Sequence, residues 1–160
     1  MPVDAQIMKA LRIPSEESPI ARLVGLRLAS AGPGIATFEM DADERHHNVM
    51  GSVHGGVLAD LADVAMGYAT ISTLAPDETF TTVEIKVNYL RPVFREHLRC
   101  HARVDSRGKT IVYAVADVEN EEGKAVAKAV STNLVVKRPG ATDPFHHKPL
   151  GKAGADAPRA

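Results

Sequence analysis

The chain has 160 residues, with 19 Lys+Arg against 20 Asp+Glu, one Cys and no Trp. That length buries a core as one domain, and 44% hydrophobic with 24% charged residues is ordinary for a globular protein. A net charge of −1 excludes a general polyanion binder such as a nucleic-acid-binding domain, which needs a basic surplus. The lone Cys100 excludes an intrachain disulfide and a cysteine-ligated zinc site.

Met1-Pro2-Val3-Asp4 has no basic n-region and no apolar h-region, so no secretory leader is expected. Asp60 and Asp63 interrupt the most apolar segment, so no bilayer span is expected either. A cytoplasmic protein is the expectation.

Val3, Ile7, Ala10 and Leu11 fall at helical spacing, which predicts a short amphipathic helix over 3–11. Pro14 and Pro19 predict a loop after it. Strand-like alternation starts near Val24 and is clearer at Ile35–Met40, where Ala36, Phe38 and Met40 share a face. Asp41 to Gly51 is polar and irregular. From about His54 to Leu74 the pattern is helical, with Val57, Leu58, Leu61, Val64, Ala65, Tyr68 and Ile71 on one broad stripe. Pro76 closes it.

Beyond Pro76 the period becomes two. Val83, Ile85, Val87 and Tyr89 alternate with Thr82, Glu84, Lys86 and Asn88, and Leu98, Cys100, Ala102 and Val104 alternate with Arg99, His101 and Arg103. Ile111–Val118 and Ala125–Val136 are two more strands. The connections at Arg107-Gly108 and Glu122-Gly123-Lys124 are short enough to require antiparallel hairpins. The prediction is an α+β arrangement of one antiparallel sheet and one long helix. Residues 1–19 form a helix and loop, 20–137 the folded domain, and 138–160 a tail expected not to pack.

The long helix carries the chemistry. Between His54 and Pro76 it has no Lys or Arg, and only Asp60 and Asp63 as charges. Ala59, Ala62, Met66, Gly67, Ala69 and Thr70 fall away from the main stripe, so the helix is expected to be covered on more than one face, most simply by a second copy of the chain. Asp63 sits on that second side, where lost solvation raises a carboxyl pKa. His54-Gly55-Gly56 opens the helix, where free N–H groups cluster and glycines let a ligand approach. Such a start is suited to an oxyanion hole.

Asn48-Val49-Met50-Gly51-Ser52-Val53-His54-Gly55-Gly56, followed by Ala59-Asp60-Leu61-Ala62-Asp63, resembles the hotdog-fold acyl-CoA thioesterases of the PaaI-like group. Thr81 to Pro92 looks like the strand after that family's helix, and Arg107-Gly108-Lys109-Thr110 like its hairpin. The resemblance covers roughly residues 20 to 136 and implies an antiparallel sheet wrapped around the central helix. It implies Asp63 as general base or nucleophile, the Gly55 N–H on the thioester carbonyl, and Asn48 near the carbonyl or water. Thr82 matches a hydroxyl that places the water, although strand alternation puts it off the Val83 face. His54 takes a positioning role. Gly56, Arg91, Gly108 and Lys109 match CoA-contacting segments, and Gly67 stands where some members have Thr or Ser. The resemblance further implies dimers paired edge to edge, and often tetramers.

The reaction needs one base, one water and one oxyanion site, with no metal and no cofactor beyond the acyl-CoA substrate. His46-His47 and His146-His147 read as loop and tail residues. Cys100 alternates with Leu98 and Ala102 and reads as a buried thiol. An acyl-CoA-binding domain without catalysis and a hotdog hydratase are the alternatives. Nine helical residues place Asp63 about 13 Å from His54 along the axis, too far for one carbonyl to meet both Gly55 and Asp63 of one chain. Antiparallel helices from two chains resolve this.

Overall fold

The computed structural model describes residues 4–140 and 142. Asp4 starts the first helix, its carboxylate accepting the Gln6 and Ile7 N–H groups that a helix start leaves unbonded. That helix, α1, runs Ala5–Glu17, so the loop expected at Pro14 does not form. Leu11 and Ser15, one turn apart, are both buried, and this packing outweighs the cost of a proline inside a helix. Pro19 opens α2 (Pro19–Val24), at a position where its missing N–H costs nothing. A helical turn thus replaces the strand expected near Val24, and Gly25 ends it at φ 84°. Residues 4–19, the described part of the expected helix and loop over 1–19, therefore hold a longer helix and the first residue of a second. Most of the expected tail over 138–160, with His146 and His147, lies outside the described residues.

Six strands form one antiparallel sheet: β1 (Arg27–Gly32), β2 (Ile35–Ala42), β3 (Glu78–Tyr89), β4 (Glu96–Arg107), β5 (Ile111–Asn120) and β6 (Ala125–Lys137). Their order is β1-β2-β4-β5-β6-β3. The long helix α3 (Gly55–Ile71) comes between β2 and β3 in sequence and packs on one sheet face. Phe38, Met40, Leu98, Cys100, Ala114 and Val118 are at 0% exposure beneath it, and the Phe38 ring meets Tyr68 edge-on at 4.9 Å. This is the α+β, hotdog arrangement expected.

The faces of α3 differ from the reading by periodicity. Leu58, Leu61 and Ala65 are buried, but so are Ala62, Met66, Gly67, Ala69 and Thr70, which were expected on the far side. Val57, Val64, Tyr68 and Ile71 are only half-buried. A helix with almost no charge carries no polar face to mark its orientation. The small residues lie closest to the sheet and the larger ones fill the margins.

At β3 the strand pattern changes phase. Thr82 pairs with Asn133 and Glu84 with Thr132, leaving Val83 as an extra residue, 57% exposed. Before this bulge Phe80 and Thr82 lie opposite Val135 and Asn133; after it Ile85, Val87 and Tyr89 lie opposite Ser131, Ala129 and Ala127. All five partners are buried, and residues directly opposite share a face. Both sets therefore face α3, and alternation alone places Thr82 wrongly.

Deleting Val83 removes the extra residue and leaves a regular ladder, with Thr82 still opposite Asn133 and Ile85 still opposite Ser131, so both sets should keep facing α3. Deleting Val83 and Glu84 together should instead turn residues 85, 87 and 89 away from α3. In urea unfolding we expect a loss of about 2–4 kcal/mol for the double deletion, but under about 1 kcal/mol for deleting Val83 alone. Equal losses for the two variants would show that the bulge does not set the phase.

Candidate active site

The loop before α3 is built around Asn48. Gly51, at φ 80°, allows a tight turn in which its N–H donates to the Asn48 carbonyl at 3.0 Å. Asn48 Oδ1 accepts the Met50 N–H at 2.8 Å and Nδ2 donates to Ser52 Oγ at 3.3 Å. A second lone pair and a second amide proton stay available on the side chain.

His54 caps α3. Its Nδ1 accepts the Gly56 N–H at 2.8 Å. A backbone N–H only donates, so Nδ1 carries no proton in this arrangement and the ring proton sits on Nε2. The Val57 N–H donates to the His54 carbonyl at 2.9 Å. Among the described residues no acceptor reaches the remaining first-turn donor, the Gly55 N–H. Asn48, Gly55, Leu58, Tyr89 and Arg91 line one cleft of about 340 Å³.

Tyr89 also belongs to this end. Its hydroxyl donates to the Gly55 carbonyl at 2.8 Å, and a Cβ on Gly55 would lie 2.9 Å from Tyr89 Cζ. Position 55 is glycine because the ring occupies the space of a side chain. In the sequence Tyr89 registers only as an apolar strand residue; the signal for its role is its place at the strand end, just before Leu90-Arg91-Pro92.

Asp63 lies eight residues after Gly55, about 12 Å along the helix. It is half-buried, and Thr82 Oγ1 donates to its Oδ1 at 3.3 Å. Burial pushes the Asp63 carboxyl above the usual range, and the Thr82 bond partly opposes that. Asp60, one turn earlier, is also pushed up, first by burial and then by the charge of Asp63. Its Oδ2 is buried and no donor among the described residues reaches it. One turn after Asp63, a Cβ on Gly67 would lie 3.2 Å from Phe80 Cζ, so Phe80 covers the position where a Thr or Ser would stand.

The chain thus gathers the expected site residues into two groups. Asn48, His54, Gly55, Gly56 and Arg91 lie at the start of α3, where Arg91 Nη1 also donates to the Ala125 carbonyl at 2.5 Å. Thr82, Asn133 and Val112 form one cross-strand row, which puts the Asp63–Thr82 pair beside the β4–β5 hairpin with Gly108 and Lys109. The Gly108 N–H closes that hairpin on Ile111 O at 2.8 Å, and Lys109 is exposed. Ala127, opposite Tyr89, and Leu134, opposite Ile111, are seven residues apart on β6, about 23 Å. Within one chain Gly108 and Lys109 therefore do not join Arg91. His46 and His47 diverge, the first bonding the Val24 carbonyl and the second the Phe94 carbonyl. Among the described residues no group of three His, Cys, Asp or Glu could hold a metal ion.

A carboxyl with a raised folded-state pKa holds its proton more firmly folded than unfolded. Its contribution to stability is full below the unfolded value, near 3.8, and is lost as pH rises through the folded value. Asp63→Asn should therefore be more stable than the native chain at about pH 8, with the gain vanishing by about pH 3.5. Urea unfolding at both pH values checks this; an equal difference at both would sink it.

The comparisons with known proteins agree with this fold. Residues 50–127 match the model of the thioesterase superfamily. The chain is 33% identical over 116 residues to acyl-coenzyme A thioesterase 13 of Homo sapiens, covering 69% of this chain and 81% of that one. It is 35% identical over 88 residues to an esterase-named relative from Pseudomonas aeruginosa, spanning 54% of this chain and 65% of that relative. The solved structure of the PaaI protein from the phenylacetic acid degradation operon of E. coli superposes with a TM-score of 0.77 at 25% identity, over 89% of this chain and 99% of that one. A half-buried carboxylate and an open helix start on one central helix, inside this sheet, accompany those likenesses: the chain belongs to the thioesterase superfamily of hotdog fold.

Proposed function

We propose that the protein hydrolyses an acyl- or aryl-CoA thioester to the free acid and CoA, in sites each built from two copies of the chain. The observation that carries this reading is the pair of incomplete half-sites on α3: an unbonded Gly55 N–H at its start and the Asp63–Thr82 pair about 12 Å further along. Reacting groups must lie about 3–3.5 Å apart. Two α3 helices running antiparallel across a two-fold axis bring Gly55 of one copy to Asp63 of the other and give two equivalent sites. β3 supports such pairing, being an edge strand of 12 residues that exposes Val83, Ile85 and Tyr89. The dimer is the working unit, with tetramers built from dimers.

In this arrangement the Gly55 N–H polarises the thioester carbonyl and receives the charge that develops on its oxygen. Asp63 removes a proton from water, or attacks the carbonyl itself, and Thr82 orients its carboxylate. Asn48 offers its remaining amide proton toward the carbonyl or the water. The tetrahedral intermediate expels the CoA thiolate, a good leaving group, giving the free acid directly when water attacks, or an acyl–Asp63 anhydride that water then cleaves when Asp63 attacks, so neither a metal nor an organic cofactor is needed. The same two-fold brings the hairpin of one copy toward the cleft of the other, placing Lys109 and Arg91 to meet CoA phosphates.

Mixing two inactive chains tests the reading. Asp63→Asn and Asp63→Ala should each lower kcat by about 10²–10⁴-fold. Asn48→Ala combined with Gly55→Pro removes the other half-site, because proline has no N–H and its Cβ displaces the Tyr89 ring from above position 55, while the first helical position tolerates its fixed φ. In a heterodimer of this double variant with Asp63→Ala, one site holds every defect and the other holds none. CoA thiol release should reappear in the co-refolded mixture. Heterodimers seen by mass spectrometry without activity would overturn the two-chain site. Native protein that binds acyl-CoA without releasing thiol would instead favour a binding domain.

Charge reversal at Arg91 or Lys109 should raise KM for acyl-CoA more than for the matching pantetheine thioester, which lacks the nucleotide phosphates. Equal effects on both substrates would place these residues away from the nucleotide.

A further inference from the structure

We propose that Tyr89 is a positioning residue for the reaction, clamping the first turn of α3 so that the Gly55 N–H is held toward the substrate carbonyl. This rests on the reading of Gly55 as oxyanion donor.

Gly55 and Gly56 occupy the first two helical positions. Glycine has the greatest backbone freedom of any residue, and helix ends fray most readily. Two consecutive glycines at a helix start are poorly suited to hold a catalytic N–H still. Here the peptide unit joining them is tied at both poles. Its carbonyl oxygen, on Gly55, accepts the Tyr89 O–H at 2.8 Å. Its N–H, on Gly56, donates to His54 Nδ1 at 2.8 Å. The Tyr89 ring also lies against the Gly55 Cα, where a Cβ would come within 2.9 Å of Cζ and 3.1 Å of the hydroxyl oxygen. That peptide plane, and with it ψ of Gly55 and φ of Gly56, is fixed at both poles, and the adjoining peptide that carries the Gly55 N–H is held through its His54 carbonyl, which accepts the Val57 N–H at 2.9 Å, with the Tyr89 ring against the Gly55 Cα between the two.

The two ties have different origins. His54 is local, two residues from the group it binds. Tyr89 is 34 residues away, on β3, and refers the helix start to the sheet. The bulge at Val83 turns Tyr89 to this face together with Thr82, so one strand sets the geometry of both half-sites. A catalytic donor needs this kind of support, because misplacement of a hydrogen-bond donor by a fraction of an ångström weakens its contribution in the transition state.

Tyr89→Phe removes the O–H while keeping the ring over Gly55. The residue is 53% exposed, so the variant should fold with nearly native thermal stability. One neutral hydrogen bond corresponds to a rate effect of about 3- to 10-fold. We expect kcat on acyl-CoA to fall by that factor with KM changed less than about 2-fold. Amide exchange at Gly56, followed by NMR, should accelerate in the same variant without any substrate present. Unchanged kcat, unchanged Gly56 exchange, or a rise in KM that accounts for the whole loss would each overturn the proposal. Asp63→Asn assayed alongside separates the two readings. If it is inactive while Tyr89→Phe is native-like, the thioesterase reading stands and Tyr89 has no positioning role. If native protein and variants alike release no thiol, the thioesterase reading falls, and the catalytic role of Tyr89 falls with it.

Discussion

Parity on one edge strand governs this structure. β3 must present Thr82 to Asp63 and Tyr89 to Gly55, two points on the same face of the same helix. The two residues are seven apart, an odd number, and an unbroken strand sends them to opposite faces. The extra residue at Val83 repairs the mismatch. It does so where a bulge costs least, on an edge strand whose unpaired backbone groups can reach solvent or another edge. The helix supplies the reactive groups, but the strand decides which way they are supported.

The electrostatics of α3 follow a similar economy. The proposed oxyanion donor, the Gly55 N–H, is at the helix start, where unbonded N–H groups and the macrodipole favour negative charge. Asp63 lies in the middle of the helix, beyond the reach of that end, with neither Lys nor Arg between positions 46 and 85. Its carboxylate has one neutral donor, Thr82, and a second carboxylate, Asp60, one turn away. Among the described residues no cation neutralises it, so it keeps a basicity that an ion-paired carboxylate would lose. The fold accepts a destabilised charge at the position where the proposed reaction needs a proton acceptor, which would be an instance of function set against stability.

Much of this was legible in the sequence. The long helix from His54, the antiparallel hairpins and the α+β class follow from periodicity and turn residues, and the Asn48 to Asp63 spacing points to the family. The orientation of α3 was not legible, because Ala62, Met66, Ala69 and Thr70 look like an outer face to any rule that ranks side chains by size. Pro14 looked like a break because local propensity cannot see the burial of Leu11 and Ser15. Thr82 could be placed only by resemblance, since a bulge has no reliable signature in a run of β-branched residues. Tyr89 was hidden by serving as an ordinary strand residue in pattern and as a hydrogen-bond donor in space.

The only thiol in the chain, Cys100, lies at 0% exposure on the helix-facing side of β4. Burial pushes it far above its ordinary ionisation range, and Asp117 adds to the shift. Thiol–disulfide exchange needs an accessible thiolate. On the proposed reading the protein works surrounded by the free CoA thiol and its disulfides, and a surface cysteine would be open to capture as a mixed disulfide. Holding its one sulfhydryl inside the sheet–helix core makes the folded chain redox-silent toward the thiol that the proposed reaction releases.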